Sequence, residues 1–168
     1  AISGVTTNMS IIQSTVELAV HGPVIPVIVI ERPQDALPLA EALLAGGVRV
    51  LEVTLRSEAA LPAIEQIARN LPEALVGAGT SLGAACRATH LPLLPGVATS
   101  SEVMMALEDG FTFLKLFPAE AVGGQALLKA WASPFAEVSF CPTGGITPGN
   151  APQYLQLPNV RCVGGSWL

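Results

Sequence analysis

Residues 46–56 read Gly-Gly-Val-Arg-Val-Leu-Glu-Val-Thr-Leu-Arg, and they join a predicted helix to a predicted strand. Apolar residues at helical spacing fill 32–45, and the glycine pair that follows is typical of a helix C-terminus. From Leu51 to Arg56 apolar and polar residues alternate, which is the period of a strand. One face carries Leu51, Val53 and Leu55, and the other carries Glu52, Thr54 and Arg56. A helix that leads directly into such a strand is typical of an α/β fold.

The same alternation of helices and strands runs along the whole chain. Strands are predicted at 24–30, 48–55, 74–78, 91–96, 113–117, 137–141 and 160–163. Helices are predicted at 10–20, 32–45, 57–70, 100–109 and 125–132, and a short helical segment follows Pro148. This pattern predicts a parallel sheet with helical crossovers on both faces. A doubly wound sheet and a (β/α)8 TIM barrel both satisfy it, and in a barrel the polar face of strand 48–55 points inward.

The spacing of the strands shows one irregularity. Three pairs of successive strand centres are 24 or 25 residues apart, but Val76 and Leu93 are separated by only 17. A parallel crossover needs a dozen or more residues including its helix. We therefore predict a single barrel domain over residues 1–168. We expect that the real protein also contains a βα unit near Ser81 and Leu82 and a closing helix after Leu168, and that both are absent from this sequence. The alternative is a shortened, open sheet with exposed edges.

Composition narrows the range of partners. The 168 residues are 51% hydrophobic and 12% charged, the net charge is −5, and lysines and arginines form no run. A nucleic-acid or anionic-membrane surface is therefore not expected. No signal peptide or membrane span is predicted. The three cysteines, Cys86, Cys141 and Cys162, show neither a Cys-x-x-Cys pair nor metal-ligand spacing, which indicates the reducing cytoplasm and no metal site.

Lys115 lies inside an apolar strand, between Leu114 and Leu116. Removing an ammonium group from water is costly unless the group is paired or neutral, and a neutral amine can form a Schiff base with a carbonyl. The alternative is a lysine whose head reaches water past its apolar stem. Glu52 lies on the inward face of its own strand at a comparable height. It can therefore pair with Lys115 and move protons for it, which favours a functional lysine.

Glycine-rich segments follow three of the predicted strands. They are Gly77-Ala78-Gly79-Thr80, Thr143-Gly144-Gly145 and Gly164-Gly165-Ser166. The first would let the backbone approach a ligand. The other two follow the last two strands, where a barrel commonly holds phosphate through backbone N–H groups and a hydroxyl. Each double glycine alone also fits an ordinary turn. The sequence contains no nucleotide-binding fingerprint and no carboxylate–histidine cluster, so no cofactor is expected.

Over nearly its whole length the chain resembles the bacterial 2-keto-3-deoxy-6-phosphogluconate (KDPG) aldolases, also called 4-hydroxy-2-oxoglutarate (KHG) aldolases. The similar stretches are 22–27, 46–56, 76–80, 94–96, 115–120, 140–146 and 164–168. The resemblance implies Lys115 as the Schiff-base lysine and Glu52 as the general acid/base. It implies Arg56 and Thr80 as ligands of the pyruvate-derived part, with Phe117 and Thr143 lining the site. The phosphate would rest on Gly144, Gly145, Gly165 and Ser166.

The resemblance implies a class I aldolase that cleaves KDPG, a phosphorylated 2-keto acid, to pyruvate and D-glyceraldehyde 3-phosphate in the Entner–Doudoroff pathway. It also implies a homotrimer, while the cysteine pattern favours a cytoplasmic location. Family members carry a helix and a strand ending in Ser-Pro-Gly after the Gly-Ala-Gly-Thr motif, and this chain lacks both, in agreement with the spacing. Two alternatives stay open. One is an aldolase for KHG or for 2-dehydro-3-deoxy-6-phosphogalactonate, and the other is a non-catalytic barrel that binds a sugar phosphate.

Overall fold

The computed structural model of the chain describes residues 21–81 and 93–168, along which strands and helices alternate. These residues form the strands β1 (Val24–Ile28), β2 (Val50–Thr54), β3 (Leu75–Ser81), β4 (Leu93–Val97), β5 (Phe113–Leu116), β6 (Ser139–Pro142) and β7 (Val163–Gly165). They form the helices α1 (Ala36–Ala45), α2 (Ala60–Asn70), α3 (Ser100–Glu108), α4 (Gly124–Trp131) and α5 (Ala151–Leu155). The predicted helix 10–20 lies outside the described residues. Within them, no helix has the length and apolar character needed to cross a membrane.

All neighbouring strands run parallel, in the order β6-β5-β4-β3-β2-β1-β7. Two isolated parallel bridges, Phe140 to Val160 and Thr143 to Gly164, connect the β6 region to the segment that contains β7. The two ends of the strand order therefore meet. Parallel strands joined by helical crossovers confirm the predicted α/β fold.

β3 and β4 are direct neighbours in this order. Four register pairs join them, from Ala78–Leu93 to Ser81–Gly96. The spacing of the sequence predicts a missing βα unit at this place, and the alternative considered was an open sheet with an edge. Because the pairing is continuous here, the described strands have no sheet edge between β3 and β4, which is evidence against the open-sheet alternative at this position.

The side chains of the strands point to two separate apolar layers. Leu51 and Val53 of β2 belong to a cluster that packs against α1 and α2. Val50 belongs instead to an inner cluster. Five strands and the residue before β7 supply its members, which are Ile25, Val50, Leu94, Phe113, Cys141 and Cys162. Since successive residues of a strand point to opposite faces, Glu52 and Thr54 share the inner face with Val50. The predicted division of β2 into an outward apolar face and an inward polar face is confirmed.

Two boundaries near the site differ from prediction. β3 continues to Ser81, so the glycine motif at 77–80 lies within the strand and pairs with both β2 and β4 instead of following the strand. β2 ends at Thr54, which leaves Arg56 in the turn before α2 rather than at the strand end. In both cases the length of the strand depends on backbone pairing with neighbouring strands, and these neighbours are distant in sequence.

The last strand also lies later than predicted. Its bounds are Val163–Gly165, whereas the sequence pattern placed it at 160–163. Val160 forms an isolated bridge with Phe140 of β6, and from Val163 onward the chain pairs with β1. The apolar run therefore divides between two partner strands, which its residue pattern alone does not reveal.

Candidate active site

Lys115 lies on the inner face of β5. Its neighbours Leu114 and Leu116 pack into the core that contains α3, α4 and α5, and Phe113 belongs to the inner cluster. Alternation along the strand therefore turns Lys115 inward. The residue is only 7% exposed. Its amine is therefore buried on the inner side of the strands, unlike the amine of a solvated surface lysine.

Glu52 of β2 is the ion-pair partner of Lys115. Glu52 Oε1 accepts a hydrogen bond from Lys115 Nζ, and the side chains of the lysine and the glutamate are 9% and 6% exposed. β3 and β4 separate β2 from β5 in the sheet, so the contact crosses the inside of the fold. The predicted pairing is confirmed. Because the two groups share a hydrogen bond, a proton can pass from amine to carboxylate and leave a neutral nucleophile.

The second carboxylate oxygen of Glu52 is also buried. Within the described residues, Glu52 Oε2 has no hydrogen-bond partner. A buried oxygen without a donor is energetically costly, and native structures keep few of them. This oxygen is therefore an acceptor of the ion pair that the described residues leave unused.

A cavity of about 320 Å³ opens over Lys115. Three of the predicted site residues line it: Lys115, Arg56 and Phe117. Arg56 is exposed and forms no ion pair within residues 21–81 and 93–168. The ring of Phe117 is 40% exposed, and its centroid lies 5.5 Å from Lys115 Nζ. The cavity is large enough for a small molecule, and the amine and the guanidinium are suited to a ligand that carries both a carbonyl and a carboxylate.

Glu102 also lines this cavity, and it was not among the predicted site residues. Its Oε2 accepts hydrogen bonds from the N–H groups of Ala98 at 2.7 Å and Thr99 at 2.9 Å, while the Thr99 hydroxyl caps α3. The hydrogen bond from Ala98, and then those from Thr99, hold the pKa of this carboxyl below its ordinary value. The signal that could have revealed it is the capping-box pattern of Thr99 followed three residues later by Glu102.

The two loops predicted to hold phosphate lie side by side, joined by the bridge between Thr143 and Gly164. Gly144 and Gly145 have φ values of +93° and +79°, a left-handed conformation that favours glycine. A Cβ atom on Gly144 would lie 3.2 Å from the ring of Phe117. Since Phe117 lines the cavity, the first of these loops borders the same site as Lys115.

The remaining predicted residues occupy different positions around these loops. Thr143 is buried, and its hydroxyl donates a hydrogen bond of 3.3 Å to the carbonyl of Cys141. Gly165 is buried and Ser166 is exposed. Thr80 lies in β3, where its backbone is in register with Pro95, and its side chain lies outside the described part of the structure. The two glycine loops therefore lie beside the cavity over Lys115, but none of their residues lines it.

Two cysteines lie beneath the site. Cys141 and Cys162 are buried and unbridged members of the inner cluster. A hydrogen bond with Cys141, together with burial, raises the pKa of the Cys162 thiol, so this thiol stays protonated. Cys86 lies outside the described residues. In the described ranges no group of three or more His, Cys, Asp or Glu side chains is arranged to hold a metal ion.

A family model described as "Aldolase: KDPG and KHG aldolase" matches residues 15–86 and 81–168. The chain belongs to this aldolase family. Among relatives, the KHG/KDPG aldolase of Escherichia coli (strain K12) is 49% identical over 173 residues, which cover 88% of this chain and 81% of that protein. The 2-dehydro-3-deoxy-phosphogluconate aldolase of Pseudoalteromonas atlantica is 47% identical, with coverages of 88% and 80%.

The fold is also that of a solved KDPG aldolase. The KDPG aldolase of Legionella pneumophila, crystallised with pyruvate captured as a covalent carbinolamine intermediate, superimposes with a TM-score of 0.83. It is 45% identical, and the match covers 90% of this chain and 86% of that one. The similarity supports the predicted α/β barrel family, although seven rather than eight strands are found in the described part of this chain.

The alignment with the Escherichia coli aldolase contains more positions than the number of residues that this chain contributes to it. For the Escherichia coli protein it spans 173 positions, whereas 88% of 168 residues is about 148. About 25 aligned positions therefore have no counterpart in this chain, which is the length of one predicted βα unit. The two matches of the aldolase family model meet at residues 81–86, where the missing unit was predicted.

Proposed function

We propose that the chain is a class I aldolase that cleaves KDPG to pyruvate and D-glyceraldehyde 3-phosphate, with Lys115 as its Schiff-base residue. The observation that carries this proposal is the buried amine of Lys115, which lines a cavity and contacts the carboxylate of Glu52. Membership of the aldolase family supports it. So do the name of the Pseudoalteromonas relative and the pyruvate carbinolamine of the Legionella enzyme.

The reaction begins with a proton transfer from Lys115 to Glu52, after which the neutral amine attacks C2 of the keto acid. With the Glu52 proton the carbinolamine loses water and becomes a protonated imine. Glu52, directly or through a water molecule, then takes the proton of the C4 hydroxyl. The C3–C4 bond breaks, its electron pair forms an enamine, and C4 leaves as the aldehyde carbon. Protonation at C3 and hydrolysis of the imine release pyruvate and restore Lys115.

The other site residues divide between the two ends of the substrate. Arg56 stands on the cavity wall with Lys115, where its guanidinium suits the carboxylate of the pyruvate-derived part, and Thr80 completes this set. Phe117, which lines the cavity, and Thr143 are assigned to the walls of the site. The phosphate is assigned to the two glycine loops, which contribute Gly144, Gly145, Gly165 and Ser166. Their left-handed glycines and their position beside Phe117 support this assignment.

A second candidate substrate is KHG, because the Escherichia coli relative is named KHG/KDPG aldolase. KHG has the same 2-keto and 4-hydroxy groups, so the imine chemistry at Lys115 is unchanged, but it carries no phosphate. A comparison of kcat/KM for the two substrates separates these functions. We expect the phosphorylated substrate to be preferred, since the glycine loops would otherwise have no ligand.

We extend the proposal to the organisation of the protein. We propose one barrel domain over residues 1–168 that acts in the cytoplasm. The low charge content and the unbridged Cys141 and Cys162 support this assignment. It is assigned to a homotrimer, as implied by the resemblance to its family. Light scattering on the purified protein measures the subunit number, and a monomer at working concentration would contradict the trimer.

Borohydride trapping tests the reaction. Incubation with pyruvate and sodium borohydride converts a lysine imine into a stable secondary amine, which peptide mass mapping locates. We expect one adduct, on Lys115. The chain has only one other lysine, Lys129, so Lys129→Arg is a matched control that should be labelled like the wild type. An unmodified Lys115 in a protein that still binds sugar phosphate would refute the aldolase and favour the non-catalytic barrel.

A further inference from the structure

We propose that Tyr154 and Glu120 act as a positioning pair, which holds the loop of residues 143–145 in the form that receives the substrate phosphate. Neither residue lines the cavity over Lys115. The role rests on the proposed function, because it concerns the phosphate end of the same site. The proposal gives a role to α5, a helix that takes no part in the reaction at Lys115.

The segment that follows β5 holds the first two carbonyl groups of the loop. The N–H group of Ala119 donates to the carbonyl of Thr143 at 2.8 Å, and the N–H group of Glu120 donates to the carbonyl of Gly144 at 3.1 Å. Carbonyl oxygens repel phosphate oxygens, so a loop that binds phosphate through its N–H groups must turn its carbonyls elsewhere. These two hydrogen bonds keep both carbonyls directed at the 119–120 segment.

The side chain of Glu120 then fixes Gly145. A Cβ atom on Gly145 would lie 2.5 Å from Cγ and 2.7 Å from Cβ of Glu120, so the glutamate stem lies directly against the α-carbon of this glycine. On the other side, Asn150 Nδ2 donates to the carbonyl of Gly145 at 3.0 Å. The left-handed conformation of Gly145, with φ at +79°, is therefore held between two side chains.

Tyr154 fixes Glu120 in turn. Tyr154 is fully buried, and its hydroxyl donates a hydrogen bond to Glu120 Oε1. Burial, and then the bond to Glu120, raise the pKa of the tyrosine, so it stays a donor at physiological pH. Space for the pair comes from Gly124, where a Cβ atom would lie 2.6 Å from the tyrosine oxygen. Asn150 precedes α5 and Tyr154 lies in it, so one helix supports both sides of Gly145.

Tyr154→Phe removes the hydroxyl and keeps the ring. Without its donor the exposed Glu120 carboxylate is free to rotate away from Gly145 and toward a bound phosphate. We expect KM for KDPG to rise about tenfold, the effect of losing one hydrogen bond to a charged group. KM for KHG and kcat for both substrates should change less than about twofold. The matched control is Ser100→Ala, which removes the hydroxyl that accepts a 3.0 Å hydrogen bond from Trp131 Nε1, a ring of the same core as Tyr154, and it should leave the KM ratio unchanged.

Two further variants keep the test decisive if Tyr154→Phe folds poorly. Glu120→Ala changes an exposed side chain and should raise KM for KDPG in the same selective way, while Glu120→Gln keeps an oxygen acceptor and should restore most of it. An unchanged ratio of KM values in Glu120→Ala would overturn the positioning role. Borohydride trapping of pyruvate distinguishes the two failures. A wild-type protein that is not trapped refutes the aldolase itself, whereas trapping with an unchanged KM ratio refutes only the positioning pair.

Discussion

The ion pair between Lys115 and Glu52 leads to a prediction about stability that is independent of catalysis. Their side chains are 9% and 6% exposed, and Glu52 Oε2 has no partner in the described part of the chain. Lys115→Met leaves a buried carboxylate without any donor, and Glu52→Leu leaves a buried ammonium group. Removing one partner of a buried pair costs about 3 to 5 kcal/mol. Replacing both by apolar side chains should return the free energy of unfolding to within about 1 kcal/mol of the wild type.

Urea denaturation at pH 7, followed by circular dichroism, measures this double-mutant cycle. With an m-value of about 2 kcal/mol per molar, each single variant should lower the midpoint by roughly 2 M, whereas the double variant should lower it by less than about 0.5 M. Lys129→Met, at an exposed position on α4, is the control and should cost less than about 0.5 kcal/mol. Additive losses in the double variant would show that the two groups are not coupled, and the charged-pair interpretation would be wrong.

Two further variants test the surroundings of the site. Gly145→Ala should lower the free energy of unfolding by about 2 to 4 kcal/mol, because a left-handed alanine is strained and its Cβ would collide with Glu120. Thermal unfolding measures this loss, and a value below about 1 kcal/mol would contradict the prediction. Glu102→Gln should cost less than about 1 kcal/mol at pH 7, since the carboxylate is largely exposed. Its pKa is lowered in the folded state, so its stabilising contribution is present above the unfolded pKa and disappears as pH falls through the lowered value. Equal losses at pH 7 and pH 3 would refute this origin.

The order of helices and strands could be predicted because local signals marked each element. Runs of β-branched residues, helical apolar spacing and the glycine pair at 46–47 are all visible within short windows. The pairing of Lys115 with Glu52 could also be predicted, since alternation in two strands turned both side chains inward. What could not be predicted were the ends of β3 and β7, which depend on the strands beside them.

Glu102 and Glu120 show a second limit to what can be predicted from the sequence. Glu102 belongs to a capping box, a pattern that predicts a helix N-terminus but not which cavity that terminus faces. Tyr154 resembles an ordinary core aromatic, and 34 residues separate it from Glu120, its hydrogen-bond partner. No periodicity connects such a pair, because the contact depends on how α5 packs against the turn after β5.

By itself, the sequence determined the alternating α/β pattern, the lysine buried in an apolar strand, and the site of the shortened crossover. These features follow from local spacing, hydrophobicity and chain length, which act within one or two elements. Only the tertiary structure decided that β3 and β4 pair directly, that Glu102 lines the cavity over Lys115, and that α5 supports the glycine loop. These contacts join residues far apart in sequence, and their energies depend on burial and geometry that exist only after the strands have assembled.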